Sequence, residues 1–292
     1  MLDLDPNRPI VEPVGAATVI VARHAAASGG VEVFCVERHL RSGFLGGAIV
    51  FPGGKIDAAD RAPEWAALTS GVPTRARALG DDAEARAFLV AAARECAEEA
   101  AILPIVGDHP DHDALIALQA ALAAAERDAG ERFRQRITRE GWHLDTSRFT
   151  PLWRWVTPTA ERRRFDTPFF LLELPPNQRG QSDQRETTKG FWEQPARLLE
   201  RWERGELFLA PPTSHSLDVM ARAGSIEALR ERAEHHSMAP ICPELAAVEG
   251  QTVLALPGDP LHSQTTPVPG TEDGPTRFVL GSDGRFVGQI VR

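Results

Sequence analysis

Three glutamates and an arginine crowd into six residues, Arg94-Glu95-Cys96-Ala97-Glu98-Glu99. On a helix, Glu98 and Glu99 fall three and four positions after Glu95, so all three carboxylates share one face. Arg94 and Glu98 are four apart and can pair. Each like-charge pair at this spacing opposes folding by roughly 0.2–0.5 kcal/mol. A hard divalent cation that took carboxylate oxygens as ligands would remove the repulsion. It would also neutralise phosphate charge and lower the pKa of bound water. The plain alternative is a solvated charged face. Upstream, however, stands Phe51-Pro52-Gly53-Gly54. A Gly-rich turn bares its backbone groups, which can approach a metal or phosphates closely. Together the two segments suggest the walls of one metal–phosphate site.

The elements around them follow from pattern. Ala16–Arg23 and Val31–Arg38 are rich in Val and Ile and flank Gly29-Gly30, which predicts a two-stranded unit. Ala48–Phe51 is a short third strand, stopped by the Pro52-Gly53-Gly54 turn. Residues 58–80 carry four Pro or Gly and predict a long loop with a short helical piece. Asp81-Asp82 then caps a helix that runs through Phe88, Leu89, Ala92 and Cys96 to about Ala101, ahead of Pro104. Residues 111–140 predict one or two helices interrupted near Gly130, and 194–204, 214–223 and 225–236 are helical. Leu152–Val156 and Phe169–Leu174 are strands, and the Pro- and Gly-rich tail holds strands at 252–256, 277–280 and 285–291. Strands interleaved with helices predict an α/β layered domain with both sheet faces covered.

The paired segments resemble the Nudix box, G-x5-E-x7-R-E-U-x-E-E-x-G-U with U a bulky apolar residue. Gly54 matches the first glycine; Arg94, Glu95, Glu98, Glu99 and Ile102 match the second half. Three features depart from it. Residues 55 to 93 put 39 positions between Gly54 and Arg94 where the usual box has 13, so 26 are extra. Asp60 falls where the first glutamate belongs, with Asp57 nearby, and Ala101 replaces the final glycine. If Ala101 keeps the left-handed conformation of that glycine, the cost is on the order of 1 kcal/mol; otherwise the helix runs on. The split box is similar to that of a family branch that includes the mammalian peroxisomal coenzyme A diphosphatase. Arg164-Phe165-Asp166-Thr167 and Leu209-Ala210-Pro211-Pro212-Thr213 also look like that branch. The motif that often precedes the box in coenzyme A-cleaving members is matched at Arg38 and Gly47 but not at His39 and Gly43.

This resemblance implies a Nudix α/β/α sandwich with a mixed sheet, helical insertions and a small β-rich C-terminal extension. The Nudix domain would span 1–238, with the box insertion at about 58–87 and a helical segment at about 110–140; the extension would span 239–292. It implies hydrolysis of a phosphoanhydride in a small-molecule nucleotide, with coenzyme A or acyl-coenzyme A as the leading substrate. ADP-ribose, NADH or dinucleotides stay open as alternatives, as does a non-catalytic nucleotide-binding module. Mg²⁺ or Mn²⁺ would be held by Glu95, Glu98, Glu99 and the Gly54 carbonyl, and Arg94 would orient a glutamate. Arg38, Arg41 and Gly53 would meet substrate phosphates, and Glu186 would be an additional loop ligand or base. Arg162-Arg163-Arg164 is a candidate for the 3′-phosphate of coenzyme A. Trp155, Phe191 and Trp192 could stack on adenine or simply be core. His215, His235 and His236 have no ligand-like spacing and are expected to be structural or surface residues.

A net charge of −9 argues against broad nucleic-acid binding, which needs a positive surface. No apolar run approaches the ~18 residues of a membrane span. Met1–Pro9 has no apolar core of a signal peptide. Cys35, Cys96 and Cys242 form no C-x-x-C pair, which fits reduced thiols. These features predict a cytoplasmic protein free of the membrane, and they leave room for a homodimer.

Overall fold

The computed structural model describes residues 3–25, 29–40, 45–125, 128–183, 187–269 and 271–291. Its centre is a mixed eight-stranded sheet. Strand β1 (Val14–His24) pairs antiparallel with β2 (Val31–Arg38), and β2 with β3 (Ile49–Val50). On its other side β1 runs parallel to β6 (Phe165–Glu173), which is antiparallel to β5 (Thr150–Val156). Strand β8 (Pro240–Ile241) lies parallel at the edge beside β5.

The period-2 pattern divides the side chains between two cores. Val19, Val21, Phe34, Val36, Phe170 and Leu172 pack on one face, with helix α2 (Asp82–Ala100). Behind α2 stand α1 (Trp65–Leu68), α3 (His112–Ala125) and α4 (Ala129–Glu140), which add Trp65, Leu118 and Phe133 to that core. Ile20, Val33, Cys35, Phe169 and Leu171 pack on the opposite face. There they meet α5 (Pro195–Glu203), α6 (Pro211–Ala223) and α7 (Ile226–His235). A second sheet, β9 (Glu244–Val248), β10 (Gln251–Ala255), β11 (Arg277–Leu280) and β12 (Phe286–Gln289), is antiparallel. Its Leu254, Phe278 and Phe286 join that same core. The α/β expectation is met, with helices on both faces of a mixed sheet. Among the described residues no helix is long and apolar enough to cross a membrane.

Two local expectations are corrected. The third strand ends before Pro52 as expected, but Gly53 and Gly54 are not a turn; with Lys55 they form β4 (Gly53–Lys55), antiparallel to Ala16–Thr18 of β1. Within β1, only Ala22–His24 pair with β2, which leaves the first half of β1 open to β4 on that side. A Cβ on Gly53 would lie 2.4 Å from the Ala17 carbonyl oxygen, so the close pairing requires glycine. Residues 187–193, read above only for a loop glutamate and aromatics, form β7 (Thr187–Glu193) against β2. The expected break near Gly130 is present, between α3 and α4; Gly130 itself is the second residue of α4, where a Cβ would come within 2.9 Å of Asp57 Cγ.

Candidate active site

Helix α2 positions the glutamates. Asp81 caps it, its carboxylate accepting from the Ala83 and Glu84 amides. Its buried side holds Phe88, Leu89, Ala92 and Cys96. Its C-terminus is Ala101 at φ 51°, ψ 42°, so the box's left-handed turn is kept without its glycine. The three glutamates therefore sit in the last turns, at the negative end of the helix dipole, where no basic residue stands in the final turn. That placement works against helix stability and favours a bound cation.

Arg94 is the centre of the site, 4% exposed. Its Nε and Nη2 donate to the Asp60 oxygens at 3.0 and 2.8 Å, a two-point pairing. Nη1 donates to Glu95 at 2.8 Å and Glu98 at 2.9 Å, and Nη2 also reaches the Lys55 carbonyl at 2.8 Å. Asp60, at the position of the box's first glutamate, is 1% exposed and sits on a 3₁₀ turn, Ala58–Arg61. Asp57 caps that turn, and the Asp60 carboxylate accepts from the Asp57 amide at 2.8 Å. The insertion after it, with α1 and a second 3₁₀ turn at Thr74–Leu79, leads back to α2.

The glycines of β4 face this helix. Gly53 N–H donates to the Glu99 carboxylate at 3.0 Å. A Cβ on Gly54 would lie 2.5 Å from the nearer Glu95 oxygen, so the bare backbone is what lets the carboxylate in. The Glu95 pKa is raised to about 7, chiefly by burial, with Arg94 opposing the shift and the neighbouring Glu98 charge adding to it. Three carboxylates, Asp60, Glu95 and Glu98, thus share one guanidinium, and Glu99 follows Glu98 on the same helix, held by Gly53. A divalent ion fits this donor set: hard oxygens, surplus negative charge and a side-chain-free backbone opposite. The carboxylates are not preassembled for it. Among the described residues no group of three His, Cys, Asp or Glu is placed to hold a metal ion. Glu95 and Glu98 each give an oxygen to Arg94, and Glu99 gives one to Gly53.

A cavity of about 1260 Å³ opens here, lined by Gly53, Gly54, Arg94, Glu95, Glu98 and Glu99. Arg38 lines it as well, with its Nε buried and unpartnered. Arg41 and Glu186 lie outside the described residues. Of the basic run, Arg163 lines the cavity, while Arg164 is buried and donates to the Thr157 and Val11 carbonyls. Trp155 lines the cavity; Trp192 does not, its indole donating to the Arg179 carbonyl and its ring carrying Arg23 at 4.2 Å. His215 is buried between Trp153 and Trp155, a structural place. The sequence reading missed Lys55, whose carbonyl holds Arg94, and Asp183, which lines the cavity. Asp183 stands only three residues before the loop glutamate considered above, but an isolated aspartate carries no signal of its own.

Known proteins resemble this chain in sequence and fold. Acyl-coenzyme A diphosphatase NUDT19 of Gallus gallus is 29% identical over 280 residues, covering 80% of this chain and 73% of that protein. The protein of the same name from Homo sapiens is 27% identical over 276 residues, covering 80% and 72%. The crystal structure of a Nudix hydrolase from Alicyclobacillus acidocaldarius superposes with a TM-score of 0.64 at 27% identity, covering 80% of this chain and 100% of that one. The family model of the NUDT19 Nudix domain matches residues 74–220, half of the chain. On that match the chain belongs to the NUDT19 Nudix family and is a Nudix pyrophosphohydrolase.

Proposed function

We propose that this enzyme hydrolyses the diphosphate of coenzyme A or an acyl-coenzyme A, using Mg²⁺ or Mn²⁺ held by Glu95, Glu98, Glu99 and the Gly54 carbonyl. The observation that carries the reaction is the facing of the three-glutamate end of α2 and the bare Gly53-Gly54 strand across one cavity. The named activity of the relatives from Gallus gallus and Homo sapiens supports the substrate. When bound, the ion neutralises diphosphate charge and makes water more acidic.

The protein's own residues do the positioning. Arg94 holds Glu95 and Glu98 on one side while anchored by Asp60 and the Lys55 carbonyl on the other, so it is a positioning residue. Gly53 N–H orients Glu99. Arg38, with its unsatisfied Nε, is suited to a phosphate oxygen. In the reaction, water oxygen bonds to one phosphorus, the bridging P–O bond breaks, and the water proton leaves to solvent. The products are adenosine 3′,5′-bisphosphate and 4′-phosphopantetheine or its acyl thioester.

The test is turnover of coenzyme A, acetyl-coenzyme A, ADP-ribose, NADH and diadenosine polyphosphates with Mg²⁺ or Mn²⁺, beside Glu98→Gln and Glu99→Gln. Coenzyme A compounds should be cleaved by the wild type and not by either variant. Efficient cleavage of ADP-ribose or NADH with none of coenzyme A would reject the substrate. Absence of any turnover by folded, metal-binding protein would favour a nucleotide-binding module.

A further inference from the structure

The cavity continues past the glutamates to the other face of the sheet. Ala17, which lines it, belongs to the core shared with α2, as do its neighbours on that helix. Phe51, Trp155, Phe169 and Leu254, which also line it, belong to the opposite core, where α5–α7 and the second sheet pack. The strand residues alternate accordingly: Phe165, Thr167 and Phe169 of β6 all line the cavity, and their odd numbering puts them on the side away from α2. One cavity thus has a carboxylate arm and an apolar arm, and β4, with Glu95 against Gly54, fixes the diphosphate end.

The apolar arm is walled by Trp155, Phe169, Pro211, Pro243 and Leu254. Pro243 and Leu254 come from the C-terminal extension, beyond the residues 74–220 that match the family model. The total volume exceeds the ~300–1,000 Å³ usual for a small-molecule site, which leaves room beyond a nucleotide diphosphate. The side chains of Phe169, Pro211, Pro243 and Leu254 present only carbon to the arm, with the Thr167 hydroxyl beside them on the same wall. An alkyl chain needs only contact with carbon.

We propose that the apolar arm receives the acyl-thioester tail of an acyl-coenzyme A and that Leu254, carried in by the C-terminal sheet, is the stop that sets the preferred chain length. This rests on the coenzyme A reading above. It makes the extension part of the substrate site.

Two variants of opposite sign test it. Leu254→Ala deepens the arm, and Thr167→Trp, at a half-buried position on its wall, fills it. The readout is the ratio of kcat/KM for dodecanoyl-coenzyme A to that for acetyl-coenzyme A, which cancels losses common to both substrates. The ratio should rise about tenfold in Leu254→Ala and fall about tenfold in Thr167→Trp, the worth of about two methylenes gaining or losing burial. General destabilisation moves neither ratio, and each variant stands as a test if the other fails to fold. Ratios within about twofold of wild type in the folded variants, or shifts in the same direction, overturn the proposal while leaving the coenzyme A reading intact. Failure of the wild type to cleave either thioester overturns both.

Discussion

Gly54→Ala is the sharpest perturbation of the glutamate–glycine pair. Gly54 is not among the residues with positive φ, so alanine fits the backbone and only a methyl group is added. That methyl would lie 2.5 and 2.6 Å from the Glu95 carboxylate oxygens and 2.6 Å from its Cδ. Ordinary contact needs about 3.5 Å, so Glu95 must retreat by about 1 Å. It has little room, being 12% exposed and tied to Arg94. A misplacement of that size at a catalytic site costs about 10²-fold, or about 2.7 kcal/mol of transition-state stabilisation. The assay is kcat for coenzyme A hydrolysis across a Mn²⁺ titration, beside a thermal melt. We expect kcat to fall about a hundredfold, half-saturation to need more Mn²⁺, and Tm to drop by less than about 5 °C. Adding Glu95→Asp, which draws the carboxylate back by one methylene, should recover part of the loss. A folded Gly54→Ala enzyme within about threefold of wild type at the same Mn²⁺ dependence would refute the reasoning.

Arg94→Met leaves Asp60 buried without its partner and should cost about 3–5 kcal/mol in urea unfolding. Asp60→Asn added to it should recover part of that, and strictly additive losses would show that the two do not act as a pair. Asp81→Ala removes the helix cap and should cost about 1 kcal/mol while leaving kcat unchanged, since the cap stands about 20 Å along the helix from the glutamates; a parallel fall in kcat would count against that separation. His215 is held neutral by burial, with Arg222 and His236 adding to the effect, and its pKa falls to about 3. The unfolded chain takes up this proton near pH 6.5 and the folded one does not, so stability is full above pH 6.5 and declines below it. Between pH 7 and 5 the loss from this group is about 2 kcal/mol. His215→Phe should remove that slope in chemical unfolding across the same range, and an unchanged slope would acquit this histidine.

What could be read directly was what lies close in sequence. The i, i+3, i+4 spacing of Glu95, Glu98 and Glu99 needs only a helix to become a face, and Asp81 announces the start of that helix. The long strands β1, β2, β5 and β6 showed through their apolar patterns. Pairings across distance did not. Asp60 was placed by counting from Gly54, but its two-point bond to Arg94 spans 34 residues and has no local signature. Strand β7 was hidden because Thr187, Thr188, Lys189 and Gly190 lack an apolar alternation, and its place comes from the open edge of β2. Strand β4 was hidden by two glycines, which ordinarily mark turns. The share of Leu254 and Pro243 in the cavity depends on how the second sheet docks.

The insertion between Gly54 and Arg94 has a thermodynamic side. Tripling the spacer from 13 to 39 positions adds only about 1 kcal/mol of loop-closure entropy, because that cost grows with the logarithm of length. The inserted chain offsets it by carrying its own hydrophobic anchors: Trp65 and Ala76 are wholly enclosed and Leu79 nearly so, and a single buried side chain of that kind contributes about 1.5–3 kcal/mol. The Asp60–Arg94 clasp then returns both ends to the same place whatever lies between. In this enzyme the two halves of the candidate site are a pair of fixed points in space, and the contour length joining them is a free variable on which natural variation or a designed graft can act.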